Sequence, residues 1–352
     1  MNKEAIQLTN EDCERSCKNS KELSSLQDAV ILVTGGTGFI GKWITETVVY
    51  LNKKQKLNIT LYLLARNVDA FKKDVPHLAK NTFVHFIPQD IRNLKNLPKE
   101  ITHVIHAAGT PDSREHASKP LSTIETFYKG TNAILEECLR LSNLRKLIHI
   151  SSNYVYGNTL NRTNGISEAE IGGSNCNSIN ATYGEAKRIS ETLCAIYRNQ
   201  QRLPITIVRP FAFVGPYQAL DKPWAINNFI RDGILGESIR ILGNENTVRS
   251  YLYGSDMAYW LLKILSSEKS NPVYNLGSSS PVSLKDLAKK IASIIDTKTK
   301  IVVKSSKEIY SETSFSIPDN SLLEKDFNLH ETLNLKEALK RTILWNQALK
   351  NY

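Results

Sequence analysis

The amino-acid sequence predicts an α/β protein, a doubly wound parallel sheet with a smaller C-terminal lobe. Three observations predict it. Short apolar runs alternate with amphipathic helical segments through the first two thirds of the chain, a rhythm that gives right-handed βαβ crossovers and a parallel sheet. The first apolar run, Val30-Ile31-Leu32, leads into Val33-Thr34-Gly35-Gly36-Thr37-Gly38-Phe39-Ile40-Gly41, a strand, a glycine turn and a helix start. After Arg209-Pro210 the rhythm breaks, and proline, glycine and short mixed elements take over Phe211–Val248.

Met1–Gln27 is polar and mixed in charge, without the apolar stretch of a secretory signal, and residues 1–28 are expected as an extension ahead of the sheet. Val30–Thr34 is the first strand. The glycines after it make a pyrophosphate cradle. Gly35 permits the tight turn, Gly38 lets backbone N–H groups approach phosphate, and Gly41 lets the helix pack close on the strand, while the helix N-terminus adds partial positive charge. Gly35, Thr37, Gly38, Phe39, Ile40 and Gly41 are therefore candidate cofactor-binding residues, and the amphipathic run Lys42–Leu51 supplies the helix such a cradle needs. Ile59–Ala65, Thr82–Ile87 and His103–His106 read as the next strands, Leu121–Ser142 as a helix and Lys146–Ser151 as a strand. Thr182–Gln200 is a long helix and Pro204–Val208 a further strand. Residues 29–210 are thus expected as a Rossmann-like dinucleotide-binding unit. Residues 211–352, with Pro272–Gly277 and the helix Ser283–Ile295, are expected mainly as a substrate lobe over the carboxyl ends of the strands, with some segments returning to the first unit.

A chain of 352 residues, 41% hydrophobic and 23% charged, has the balance of a soluble globular protein. No apolar run reaches the ~18–20 residues that span a bilayer. The net charge of +10 is spread along the chain without a dense basic run or interleaved aromatics, which points to a solvated basic surface and away from nucleic acid. Five scattered cysteines, Cys13, Cys17, Cys138, Cys176 and Cys194, read as free thiols in a reducing cytoplasm. Cys13 and Cys17 lack a second ligand pair, so no metal is expected.

The end of the second strand usually reads the adenosine ribose: an acid accepts from the 2′-hydroxyl of NAD, whereas an arginine pairs with the 2′-phosphate of NADP. Here Leu61–Leu64 runs into Ala65-Arg66-Asn67 with no acid before Asp69, so Arg66 favours NADP(H) over NAD(H). Asp90-Ile91 is placed for the adenine edge, and Ala107-Ala108 for the nicotinamide ribose. Tyr183-Gly184-Glu185-Ala186-Lys187 sets a tyrosine and a lysine on one face of a helix. A free phenol, with a pKa of ~10, is a poor base near neutrality. An ammonium beside it favours the phenolate, and the same lysine can hold the nicotinamide ribose. Ser152, just past the strand Leu147–Ile150, can hydrogen-bond the substrate oxygen beside that tyrosine.

Thr34–Gly41, His103–Ala108, Ser151–Gly157, Tyr183–Lys187 and Arg209–Pro216 together resemble the extended short-chain dehydrogenase/reductases, the NAD(P)-dependent epimerases, dehydratases and reductases of nucleotide sugars. The resemblance runs from Val30 to Gly277. It implies Ser152, Tyr183 and Lys187 as the catalytic triad, and a nucleoside-diphosphate sugar bound under the C-terminal lobe. It also implies Arg249 at the substrate diphosphate, Phe229 on a helix lining the nucleobase pocket and Asp256 in a structural role. A homodimer through Leu121–Ser142 and Thr182–Gln200 is the implied assembly. The departures narrow the chemistry. The 4,6-dehydratases carry an Asp-Glu pair after the catalytic hydroxyl residue; this chain has Asn153-Tyr154, which disfavours dehydration and leaves Asn153 as a substrate contact. Phe127 and Ala212 stand where many members have asparagine, implying an altered sugar pocket. The expected function is an NADP(H)-dependent reductase of a nucleotide-linked keto sugar, with Tyr183 as proton donor. The alternative is a nucleotide-sugar 4-epimerase that keeps NAD bound; a uronate decarboxylase and a non-catalytic dinucleotide sensor rank lower.

Overall fold

The N-terminal extension folds as a helix, α1 (Lys3–Ser16), begun by Asn2, whose side-chain oxygen accepts from the Ala5 N–H. The computed structural model describes residues 2–350 except 19, 158, 161, 171, 270, 297–298 and 304–312. After α1 come β1 (Val30–Thr34), α2 (Phe39–Gln55), β2 (Thr60–Leu64), α3 (Val68–Asp74), α4 (Pro76–Ala79) and β3 (Val84–Ile87). They are followed by β4 (His103–His106), α5 (Ser113–Ser118), α6 (Pro120–Cys138), β5 (Lys146–Ile150), α7 (Thr182–Gln200) and β6 (Ile205–Pro210). The remainder is β7 (Ala212–Val214), α8 (Ala225–Ile234), β8 (Ile239–Ile241), β9 (Val248–Arg249), β10 (Tyr251–Tyr253), α9 (Gly254–Leu265) and β11 (Val273–Leu276). Last come β12 (Val282–Ser283), α10 (Leu284–Ile295), β13 (Ile301–Val303), β14 (Phe315–Ser316), α11 (Ser321–Phe327) and α12 (Leu335–Lys350).

Seven strands form one parallel sheet in the order β11-β6-β5-β4-β1-β2-β3. The order reverses between β1 and β4, the crevice where such sheets hold ligands. Successive strand residues serve opposite layers. Ile31, Val33, Ile105 and Ile148 join the core that includes α2 and α9, while Leu32, Val104 and Leu147 join the one that includes α6 and α7. Burial on both faces is why these strands read as continuous apolar runs. The helix expected from Lys42 starts at Phe39, because Gly38 is its N-cap, and it ends where Lys56 turns left-handed at φ 59°. The helix expected from Leu121 starts at Pro120, whose missing N–H costs nothing in a first turn.

The C-terminal part is a lobe of short ladders: β7 with β10, β8 with β13, and β9 between β12 and β14. From it β11 returns to the edge of the large sheet, beside β6. Helix α1 packs on α2, α9 and α12. Buried Asp12 holds it there by accepting from the Tyr253 hydroxyl at 2.7 Å and pairing with Arg15 at 2.8 Å and Arg341 at 2.5 Å. Among the described residues no helix is long and apolar enough to cross a membrane.

Candidate active site

The glycine turn and α2 build a cradle out of backbone. Gly35 takes φ 67°, and a Cβ there would sit 2.6 Å from the Ala107 carbonyl oxygen. At Gly41 a Cβ would lie 2.1 Å from the Gly36 carbonyl oxygen, so only hydrogen fits. No side chain caps the start of α2, which leaves its first-turn N–H groups to an anion. These residues fit a dinucleotide pyrophosphate. Thr37 and Ile40 are partly open along the turn, and the Phe39 ring stacks on Phe213 of β7 at 5.9 Å, tying the cradle to the lobe. Ala107 and Ala108 follow β4 directly, with the Ala108 N–H donating to Thr34 Oγ1 at 3.2 Å.

Arg66 is exposed just past β2, and its charge helps hold the Asp90 carboxyl low. The larger cause is Arg92, which donates to both Asp90 oxygens at 3.0 and 2.7 Å and brings that carboxyl down to about 2. Asp90 therefore meets any adenine as a carboxylate already engaged on one side. Ile91 is buried against Gly130 of α6, where a Cβ would come within 2.9 Å of it.

The proton-transfer group assembles where β5 ends. Ser152 turns the chain, its hydroxyl accepting from the Tyr154 N–H at 3.2 Å, and its nearness to the Tyr183 phenol favours phenolate. Lys187, four residues along α7 from Tyr183, donates to the Ile150 carbonyl at 2.8 Å and lies 4.3 Å from the centre of the Phe127 ring. Phe127 reaches it from α6 and packs on Gly109, where a Cβ would overlap its ring at 2.2 Å. Arg209 of β6 anchors α7 by a two-pronged pair with Glu191 at 2.9 and 2.7 Å, and donates to the Tyr156 hydroxyl at 3.0 Å.

The expected lowering of the Tyr183 pKa by Lys187 is not what the protein alone provides. Burial pushes the phenol up to about 12 and draws the ammonium down to about 7. Lys187 lies 6.0 Å from the centre of the phenol ring, too far to outweigh that desolvation. Beneath the site, His106 bridges Thr34 Oγ1 at 2.7 Å and Thr131 Oγ1 at 3.2 Å, with the His149 ring 5.3 Å away and tilted 35° to it. Burial draws both imidazoles down, His106 to about 3, so they stand neutral below Lys187.

Three rings surround the Tyr183 phenol that the sequence did not single out as a group. His116 of α5 stacks face to face at 4.3 Å, and Phe127 and Tyr154 meet it edge-on at 5.5 and 5.3 Å. The sequence marks Phe127 only as a departure and gives no signal for His116, because the loop after β4 folds back over α7.

On the lobe side, Arg249 is half-buried on β9. Its described hydrogen bonds go to neutral oxygens: the Val248 carbonyl at 2.8 Å, the Ser314 carbonyl at 3.2 Å and the Ser314 hydroxyl at 3.1 Å. Asn153 donates to the Ser316 hydroxyl at 2.8 Å, joining the β5 turn to β14. Ala212 pairs with Tyr251 in the ladder of β7 and β10, and Asp256 accepts from the Thr332 N–H at 2.9 Å and its hydroxyl at 2.5 Å. Phe229 requires a correction. Its ring is 1% exposed inside the main core, so it has no face to offer a nucleobase, while its neighbour Asn228 is partly open.

A phosphate cradle after β1 and a Ser–Tyr–Lys group after β5 open on one sheet edge, which makes this protein an extended short-chain dehydrogenase/reductase. The sequence model of the NAD dependent epimerase/dehydratase family matches residues 31–277, and the chain belongs to that family. It is 29% identical over 332 residues, 91% of this chain and 98% of the relative, to a UDP-N-acetyl-alpha-D-glucosaminuronate decarboxylase of Bacillus cytotoxicus. It is 26% identical over 322 residues, 92% of this chain and 89% of the relative, to UDP-glucuronic acid decarboxylase 6 of Arabidopsis thaliana. The structure of a UDP-glucuronic acid 4-epimerase from Bacillus cereus with UDP-glucuronic acid and NAD superposes with a TM-score of 0.79, at 24% identity, over 91% of this chain and 99% of that one.

Proposed function

We propose that this protein is a nucleotide-sugar 4-epimerase that oxidises C4 of a UDP-uronic acid and reduces the same sugar again, with NAD retained between the two steps. The observation that carries this reading is the Ser152–Tyr183–Lys187 group followed by Asn153-Tyr154: the residues for oxidation at a carbinol are present, and the acidic pair for dehydration is not. When bound, the dinucleotide supplies the hydride acceptor and donor at its nicotinamide. Tyr183 takes the C4 hydroxyl proton as the alcohol is oxidised and returns it on reduction. Ser152 hydrogen-bonds the same oxygen, and Lys187 holds the nicotinamide ribose. The relatives named above act, by their names, on uronic acids, which moves the substrate away from the keto sugar of a net reductase. NAD is the coenzyme of this reading, with Arg66 lying beside the adenosine.

A second reading shares the first step. A C4 ketone is β to the C6 carboxylate, so CO2 can leave with its electron pair passing to the enolate, and two relatives carry decarboxylase names. Proton NMR of the products from UDP-glucuronate separates the two: an epimer keeps C6, a decarboxylated product is a pentose.

Arg249 is the residue we assign to the substrate diphosphate, since among the described residues its guanidinium hydrogen-bonds only neutral oxygens. Arg249→Met is expected to raise KM for the UDP-sugar about 10- to 100-fold, by loss of a charge-assisted contact of about 1.5–3 kcal/mol, with kcat within about threefold. An unchanged KM would remove Arg249 from the site. We further propose a homodimer through α6 and α7, where Leu121, Ile124, Tyr128, Ile189 and Ile196 form an exposed apolar face at helical spacing. Sedimentation velocity reads its mass directly.

A further inference from the structure

We infer that His116 is a positioning residue for the Tyr183 phenol, an inference that rests on the reading of Tyr183 as the proton-transfer group. The two rings are stacked with centroids 4.3 Å apart and planes 8° from parallel. The imidazole is not free to swing. Its Nε2 lies 2.7 Å from the Thr110 carbonyl oxygen, and since a carbonyl only accepts, Nε2 carries the proton. The helix that presents it is tied to the lobe: Asp112 caps α5, its carboxylate paired with Arg114 of the same helix at 3.1 and 2.8 Å and with Lys222, from the lobe, at 3.2 Å. Burial of His116 is nearly complete, at 8% exposure.

Tyr183 needs such a support because it is the second residue of α7, and the other rings touch it only edge-on. Edge contacts bound a ring; a coplanar neighbour fixes its tilt, and with it the position of the hydroxyl at the rim. Misplacing a reacting group by about 1 Å costs on the order of 10²-fold in rate. The salt link from Lys222 to Asp112 joins this support to the lobe over the substrate, so α5 couples the placement of the phenol to the placement of that lobe. His116 meets the phenol ring face and donates to the Thr110 carbonyl, so its part is placement rather than chemistry.

The test uses wild type, His116→Ala, His116→Phe, His116→Gln and Tyr183→Phe. UDP-glucuronate, UDP-glucose and UDP-N-acetylglucosamine are offered, and the fastest, deuterated at C4, is used for kinetics. His116→Ala should lower kcat about 10- to 100-fold with KM within threefold, and should raise the isotope effect as the chemical step becomes limiting. His116→Phe, which keeps a flat ring, should recover most of kcat; His116→Gln, which keeps only a donor for Thr110, should not. NMR of protein labelled at tyrosine Cζ gives a readout free of substrate. The Tyr183 signal, assigned by its loss in Tyr183→Phe, should shift in His116→Ala and return toward its place in His116→Phe. Wild-type kcat and isotope effect in His116→Ala, an unmoved Tyr183 signal, or rescue by Gln and not by Phe would each overturn the inference. Full activity of Tyr183→Phe would instead overturn the reading of the site on which it rests.

Discussion

Tyr183→Phe is expected to lose about 10²- to 10⁴-fold in kcat, the usual worth of a positioned general acid–base group. The substitution removes one oxygen and nothing else. The ring keeps its stack with His116 and its edge contacts with Phe127 and Tyr154, so the fold and the coenzyme content should stay as in wild type. What is lost, on the proposed reading, is the group that takes the C4 proton beside Ser152. Burial holds the phenol up to about 12 in the protein alone. Steady-state kinetics checks the prediction, and a variant keeping more than about a tenth of the wild-type rate would contradict it.

Gly41→Val should produce a protein that folds less stably and retains no coenzyme. The added Cβ would lie 2.1 Å from the Gly36 carbonyl oxygen and 2.6 Å from its Cα, both backbone atoms of the turn. Neither can rotate away, so α2 must move off the cradle. Overpacking of this kind costs typically about 1–3 kcal/mol, and the displaced helix start no longer points its N–H groups at phosphate. Gly243→Ala is the control, since a Cβ there meets nothing within 4 Å. Thermal unfolding together with the absorbance of coenzyme released on denaturation reads both effects. A Gly41→Val protein that unfolds at the wild-type temperature with full coenzyme would disprove the cradle.

The parts of the site written in contiguous residues were legible in the sequence. The glycine turn, the Tyr183–Lys187 spacing and the serine past β5 each depend on one strand or one helix: the first follows β1, the last follows β5 two strands away in the same sheet, and the pair lies on α7. Phe229 was misread although its signal was present. Ile226, Phe229, Ile230 and Gly233 recur at helical spacing on α8, and all four are buried, so the helix turns Phe229 inward. Other features had no local signal. Asp12 looks like a surface acid on a polar helix, and beside its helical neighbour Arg15 it takes Tyr253 and Arg341, hundreds of residues away, to make its burial tolerable. His116 belongs to the same class, since its partner lies on α7, across the length of α6 and β5. The balance between Tyr183 and Lys187 was also hidden, because it depends on how completely the fold excludes water from both.

The central claim is that hydride leaves C4 and returns to the same sugar. UDP-glucuronate deuterated at C4 is incubated with the purified protein in the presence of excess unlabelled NADH and NADPH, and the product is examined by mass and NMR. The account predicts turnover without consumption of either reduced coenzyme, and deuterium retained at C4 of the product. Product that has lost its deuterium to the added pool, or turnover that consumes NADPH, would contradict it and restore a net reductase.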